Sequence, residues 1–313
     1  MATIPDVAAA LRAHDGFLIL THVRPDGDTL CSAAALCSAL RRIGKTAALY
    51  PNSEITENYV DYTSPYIAED MTGLDFNVSV DVAGTEMFPL GFAGSADLCI
   101  DHHPSNPGIA PLSLVCPEKA SCGEIIMEVI ETLCGNLTKE EANLLYVAIS
   151  TDTGCFCYAN TTADTLRAAA HVIDCGAENH PTNKLLFRSF SFARLKLEGM
   201  VFATLRSYRE NKINVAVITL DMMRESGATE NDCDDLASLA GKVRGSVVAI
   251  TVRELEPGRS KASVRTNEQV DASIICGALG GGGHKMASGY TVDVGPEELA
   301  DLLLQEVEKV WPA

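Results

Sequence analysis

Three short apolar runs in the first third of the chain lead into histidines and acids. "GFLILT" leads directly into "HVRPDGD", His22 to Asp28; "NVSVDV" carries Asp81 at its end; "ADLCID" closes on Asp101, with His102 and His103 behind it. Short apolar stretches bounded by turn formers predict buried strands. After the first run, "DTLCSAAALCSALRRIG" places small and apolar residues at helical spacing, with basic residues and then Gly44 at its end as a helix stop. Strand followed by helix opens an α/β domain, and "TAALY" adds a further strand. In open α/β sheets ligands sit beyond the carboxyl ends of the strands, so Asp28, Asp81 and Asp101 can meet there although far apart in sequence.

Carboxylates crowded together without a cation repel one another and retain protons, so a metal is the natural partner. Asp26 and Asp28 flank Gly27, and a tight turn there can aim them at two different ions. A carboxylate such as Asp81 has two oxygens and can bridge both. Histidine nitrogen with aspartate oxygen suits manganese, iron, zinc or magnesium, and two imidazoles favour a transition metal over magnesium. Two-metal phosphoryl chemistry needs this ligand supply. Taken singly, each piece has an ordinary reading: "PDGD" as a turn, Asp81 and Asp152 as cap or turn residues, His102 and His103 as one core and one surface histidine. Their joint occurrence at the ends of successive elements is what points to a site.

Further along, Ser121 to Glu124 and Thr138 to Glu141 have the spacing of capping boxes and predict two helices, and a third is expected from about Thr162 to Gly176. The stretch "LLFRSFSFARLKLEGMVFATLRSY", Leu185 to Tyr208, reads as one long helix. A fresh alternation follows: "INVAVITL", "SVVAITVRE" and "KASVRT" as strands, "DDLASLAGKV", "ASIICGAL" and "PEELADLLLQEVEKV" as helices. The expected organisation is an α/β protein with a parallel-sheet domain over 1–184, a helical linker over 185–208 and a smaller α/β domain over 209–313. His171 and His180 read as structural, the acidic run "ENDCDDL" as a helix start, and Trp311 as an anchor for the final helix.

A chain of 313 residues with 47% apolar and 21% charged residues has ordinary globular usage and room for two domains. No apolar run approaches the roughly 20 residues that span a bilayer, and "MATIPDVAAALRAHDG" lacks the pattern of a signal peptide, so a cytoplasmic protein without a membrane partner is expected. Eleven cysteines without CxxC pairs fit reduced thiols, and Cys155 with Cys157 is too isolated a pair for a zinc site. A net charge of −18 argues against long duplex DNA as a partner; small anions would need local cations.

"HVRPDGDTLCSA", "VDVA", "DHHPSN" and "STDTGCF" resemble, in order, the four motifs of the DHH phosphoesterases, and "SVRT" with "GGGGHKMASG" is similar to the DHH-associated domain of that family. The resemblance runs from His22 to Gly289. It implies that His22, Asp26 and Asp81 hold one manganese ion and that Asp28, Asp81, His102 and Asp152 hold a second. His103 would face the substrate phosphate or leaving group, with Asp101 fixing the tautomer of His102. In the C-terminal domain Arg265 would grip a second phosphate, and Gly281, Gly282, Gly283 and His284, with Lys285, would offer donors to an anion where a helix begins. Ser288 stands where the family more often has alanine.

The implied enzyme hydrolyses very short oligoribonucleotides and 3′-phosphoadenosine 5′-phosphate, in a cleft between the two domains. Cyclic di-AMP or pApA phosphodiesterase and single-strand exonuclease are neighbouring activities. The "GGGGHKMASG" ending speaks against an inorganic pyrophosphatase, and the full ligand set against a nucleotide-binding regulator without chemistry. A homodimer is left open.

Overall fold

The computed structural model describes residues 1–233 and 236–311, in two compact units, Met1–Ser189 and Phe190–Ala313. In the first unit, α1 (Ile4–Ala13) precedes β1 (Phe17–Leu20), α2 (Gly27–Arg42), β2 (Ala47–Leu49), α3 (Glu57–Thr63), β3 (Phe76–Val80), β4 (Leu98–Asp101) and β5 (Leu112–Val115). Helices α4 (Cys122–Cys134), α5 (Lys139–Asp152), α6 (Ala163–Asp174) and α7 (Asn179–Phe187) complete it. The five strands pair in parallel in the order β2-β1-β3-β4-β5. The strand order reverses between β1 and β3, and a crevice is expected outside the carboxyl ends at such a switch point.

Helix α2 is buried along almost its whole length, which explains its run of Cys, Ser and Ala: larger side chains would hold α4 and α5 away. Gly27 shows how close the approach is, since a Cβ there would lie 2.6 Å from the Thr151 side chain on α5. Thr138 and Glu141 cap α5 reciprocally. Ser121 caps α4, but Glu124 turns elsewhere: its carboxylate accepts from the Ala120 N–H at 3.2 Å and the Thr165 hydroxyl at 2.8 Å. The expected third helix is α6.

The second unit contains α8 (Phe192–Ala203), β6 (Arg206–Tyr208), β7 (Ile213–Ile218), α9 (Leu220–Ser226), β8 (Val248–Glu256), β9 (Arg259–Thr266), α10 (Ala272–Gly277), β10 (Gly282–His284), β11 (Ala287–Val292) and α11 (Pro296–Val310). Its sheet runs β10-β11-β9-β8-β7-β6, antiparallel except between β7 and β8. Alternate residues serve two cores. Val215, Val217 and Ile250 pack with Ile275, Leu299 and Leu303, whereas Ala216, Ile218 and Ala249 pack with Leu197, Leu236 and Leu239.

Three expectations change. The long helix from Leu185 to Tyr208 is α7, α8 and β6: Ser191 accepts the Arg194 N–H at 2.9 Å and so starts a new helix within the run. In "DDLASLAGKV", Asp234 and Asp235 lie outside the described residues, and Leu236–Lys242 is a 3-10 helix whose three-residue period buries both Leu236 and Leu239. No helix begins at His284. Gly282–His284 is an edge strand in a hairpin with β11, and Ser288, buried, donates its hydroxyl to the His284 carbonyl at 2.9 Å. Among the described residues no helix is long and apolar enough to cross a membrane.

Candidate metal centre

His22 follows β1, and its Nδ1 lies 2.8 Å from the Val23 carbonyl. With Nδ1–H donating there, the Nε2 lone pair faces Asp26 at 3.7 Å and Asp81 at 3.8 Å. Asn52 braces this strand end by donating to the Thr21 hydroxyl and the His22 carbonyl at 3.1 and 3.0 Å. Asp26 is the N-cap of α2 and accepts the N–H groups of Asp28 and Thr29 through one oxygen. That same Oδ1 is the oxygen nearest His22 Nε2.

Asp28 is one residue into the same helix and is buried. It accepts the Cys122 and Gly123 N–H groups at 2.7 and 2.9 Å and the Ser32 hydroxyl at 3.0 Å. The start of α4 therefore holds a carboxylate brought by α2, as a helix N-terminus favours. Asp81 follows β3 with φ of +60°, a left-handed conformation that costs a non-glycine residue energy and is retained where the surroundings enforce it. Its N–H donates to the Ile100 carbonyl at 2.9 Å, while Oδ1, fully buried, has no hydrogen-bond partner.

His102 Nδ1 faces the Lys119 carbonyl at 3.2 Å, which leaves Nε2 for Asp81 at 3.4 Å, Asp152 at 3.6 Å and Asp28 at 3.9 Å. Asp152 reaches this place as the last residue of α5. The Asp101 carboxylate does not touch the His102 ring, contrary to the expectation from the resemblance. Its Oδ1 accepts the His102 backbone N–H and meets His103 Nδ1, each at 2.8 Å, and Asn106 donates to Oδ2 at 2.6 Å. The backbone carbonyl of Lys119 fixes the His102 tautomer instead.

The six residues expected to hold metal thus lie together in two groups of ligand atoms, His22 with Asp26 and Asp81, and Asp28 with His102 and Asp152; Asp81, His102 and His103 form an overlapping third. Burial pushes the Asp81 carboxyl well up, and Asp26, Asp101 and Asp152 add to this by repulsion. Burial likewise raises Asp28, with Asp81 and Asp152 contributing, and it raises Asp152. Desolvation would raise Asp26 too, but the neighbouring His22 and the N–H groups of Thr29 and Asp28 bring it below the usual value. Burial opposes and His103 and Asn106 outweigh it at Asp101, which ends lowered. Two buried carboxyls, a half-buried third and one orphaned buried oxygen fit divalent cations, which supply the missing positive charge.

In the second unit, Arg265 on β9 pairs with Ala287, and Ala287 pairs with His284. Directly paired residues share a sheet face, so Arg265 and His284 flank the small Ala287 in one row. Gly283 has φ of +141°, and a Cβ there would lie 2.6 Å from the Ala287 carbonyl. Gly281 also needs its bare backbone, since a Cβ would meet the Gly289 carbonyl at 2.5 Å; its N–H is already donated to the Cys276 carbonyl at 2.8 Å. Gly281 therefore shapes the loop without offering an N–H to an anion, while Gly282 is exposed with open space beside it.

The profile described as "DHH family, N-terminal domain" matches residues 16–149, and the DHHA1 domain profile matches residues 211–311. A bifunctional oligoribonuclease and PAP phosphatase NrnA of Thermus thermophilus is 34% identical over 91% of this chain and 87% of its own length. The chain belongs to the DHH family. The namesake Asp-His-His of this DHH-family chain is Asp101, His102 and His103. An NrnA of Bacillus subtilis with the same description is 25% identical over 95% of this chain and 96% of its own. The crystal structure of an exopolyphosphatase-related protein from Bacteroides fragilis matches with a TM-score of 0.87 at 20% identity, covering 98% of this chain and 95% of that one, a likeness of fold.

Several supports of the site were given no role in the sequence reading: Asn52, Asn106 at the end of "DHHPSN", and the carbonyls of Val23 and Lys119. Asn106 carried a signal, five residues after Asp101 in the same loop, and the Ser121 cap marked the helix start that receives Asp28. Backbone carbonyls carry none, because every residue has one.

Proposed function

We propose that this DHH-family phosphoesterase hydrolyses short oligoribonucleotides to mononucleotides and 3′-phosphoadenosine 5′-phosphate to AMP, using two manganese ions in the cytoplasm. One observation carries the reading: Asp81, held in a strained backbone conformation with a bare buried oxygen, stands between His22 and Asp26 on one side and His102, Asp28 and Asp152 on the other. When bound, a pair of divalent ions supplies an activated water and neutralises charge on the phosphoryl oxygens.

The protein's own groups do the rest. Asp81 serves both groups, one oxygen to each. His22 and His102, with Nδ1 engaged by backbone carbonyls, present Nε2. His103 keeps its Nδ1 proton on Asp101, so Nε2 is the atom that exchanges a proton with, or donates a hydrogen bond to, the leaving oxygen. Arg265 and His284 take an anionic end of a nucleotide, the planar guanidinium suiting two phosphate oxygens. The choice of substrate is supported by the names of the Thermus and Bacillus relatives, and eleven unpaired cysteines fit a reducing compartment.

The test is chromatography of products after incubation with manganese and, separately, RNA dinucleotides, 3′-phosphoadenosine 5′-phosphate, pApA, cyclic di-AMP and pyrophosphate. The first two should be turned over fastest, and Asp81→Ala should abolish the release of mononucleotides. Preference for pyrophosphate or cyclic di-AMP would overturn the assignment.

A further inference from the structure

The loop between α5 and α6 makes an unusual turn. Gly154, Cys155 and Phe156 follow one another with φ of +54°, +55° and +65°, and two of the three are not glycine. Consecutive left-handed residues cost of order 1–2 kcal/mol each for non-glycine side chains and persist only where something fixes them. The turn is held by the Cys155 N–H on the Ser150 carbonyl at 2.7 Å, the Phe156 N–H on the Thr153 hydroxyl at 3.2 Å, and packing of the Phe156 ring near Tyr146. It doubles the chain back on the helix it has just left.

What the reversal delivers is Asn160. Its single amide nitrogen donates one hydrogen to the Asp152 carbonyl and the other to the Ala120 carbonyl, each at 3.1 Å. Ala120 sits in the segment that governs the other two members of the group. Its neighbour Lys119 supplies the carbonyl that orients His102, and Cys122 and Gly123 supply the N–H groups that hold Asp28. The same segment is anchored from behind, where the Ala120 N–H donates to Glu124.

We infer that Asn160 is a positioning residue that staples the end of α5 to the segment before α4, and thereby sets the spacing of Asp152 from Asp28 and His102. The inference rests on the reading that these three residues hold a divalent ion. His22 and Asp26 receive their supports from Asn52, Val23 and the start of α2, none of which involves Asn160. Loss of the staple should therefore loosen one group and spare the other. Asparagine suits the task because a carboxamide nitrogen carries two donors at one point, whereas an aspartate of the same size would set oxygens against two carbonyls.

The experiment is calorimetric titration of manganese into the chelator-stripped full chain, for wild type, Asn160→Asp and Asn160→Ala, with thermal melts of each in chelator. Two ions should bind wild type. Both variants should weaken one of the two by roughly tenfold to a hundredfold, as loss of an outer support of a metal ligand does, and leave the other within twofold. Two binding events of unchanged affinity in both variants, or equal weakening of both, would overturn the inference. Fewer than two ions on wild type would instead overturn the two-ion reading. Should Asn160→Asp melt below the titration temperature, Asn160→Ala, which places no oxygen against the carbonyls, carries the test.

Discussion

Asp101 Oδ1 lies 2.8 Å from His103 Nδ1, and Asn106 secures the other oxygen of the same carboxylate at 2.6 Å. The family's namesake aspartate thus serves the second histidine through its side chain and the first only through a backbone N–H. Asp101→Asn keeps the size of the side chain and removes the charge that retains the Nδ1 proton. It should lower kcat by about 10²-fold or more, the range for a misdirected proton-transfer group, with both manganese ions still bound. Steady-state kinetics beside a manganese titration checks this, and an unchanged kcat contradicts the role given to His103.

Asp81 makes the metal-free protein sensitive to pH. Its folded pKa is raised, by burial and then by Asp26, Asp101 and Asp152, so its contribution to stability is complete below the ordinary value of 3.8 and is lost as pH rises through the folded value. In chelator, Asp81→Asn should melt higher than wild type by a margin that widens as pH increases above 3.8. With manganese present the order should reverse, since ions that bind only the folded state stabilise it by mass action. Melting curves over a pH series test this; a margin independent of pH would mean that the carboxyl is not strained by its neighbours.

Glu124 is buried and joins α4 to the Ala120 N–H and the Thr165 hydroxyl. Glu124→Ala would leave both donors without that acceptor in a dry place, at a cost of about 2 kcal/mol or more. The melting temperature should fall by roughly 2–4 °C for each kcal/mol in a protein of this size. Differential scanning calorimetry provides the measurement, and a change within error would show that water or a neighbouring group replaces the carboxylate.

Arg265 and His284 share a sheet face across Ala287. Arg265→Ala should raise KM for short oligoribonucleotides by about tenfold to a hundredfold, as loss of a charged hydrogen bond does, and leave kcat nearly unchanged. Kinetics with an RNA dinucleotide decides it. A fall in kcat with constant KM would move Arg265 from holding the substrate to the chemical step.

The ends of β1, β3 and β4 were legible because each apolar run stops at an acid or histidine, and a parallel sheet brings such ends to one edge whatever their separation in sequence. What held the side chains was harder to read. The Lys119 and Val23 carbonyls act as backbone atoms, and Asn160 reaches Ala120 across forty positions only because of a left-handed turn at Gly154, Cys155 and Phe156. Glycines have little strand preference, so Gly282–His284 becomes a strand through its pairing with β11, a tertiary effect invisible in "GGGGH". Ser191 breaks the helical run by a local cap, a signal present in the sequence and outweighed there by the apolar periodicity on both sides.

Anomalous diffraction from a crystal soaked in manganese addresses the metal centre itself. Two peaks should appear in each chain, both in contact with the Asp81 carboxylate, one completed by His22 and Asp26 and the other by Asp28, His102 and Asp152. A single peak, or two peaks of which one lies out of reach of Asp81, would contradict the shared-carboxylate site on which the proposed hydrolysis depends.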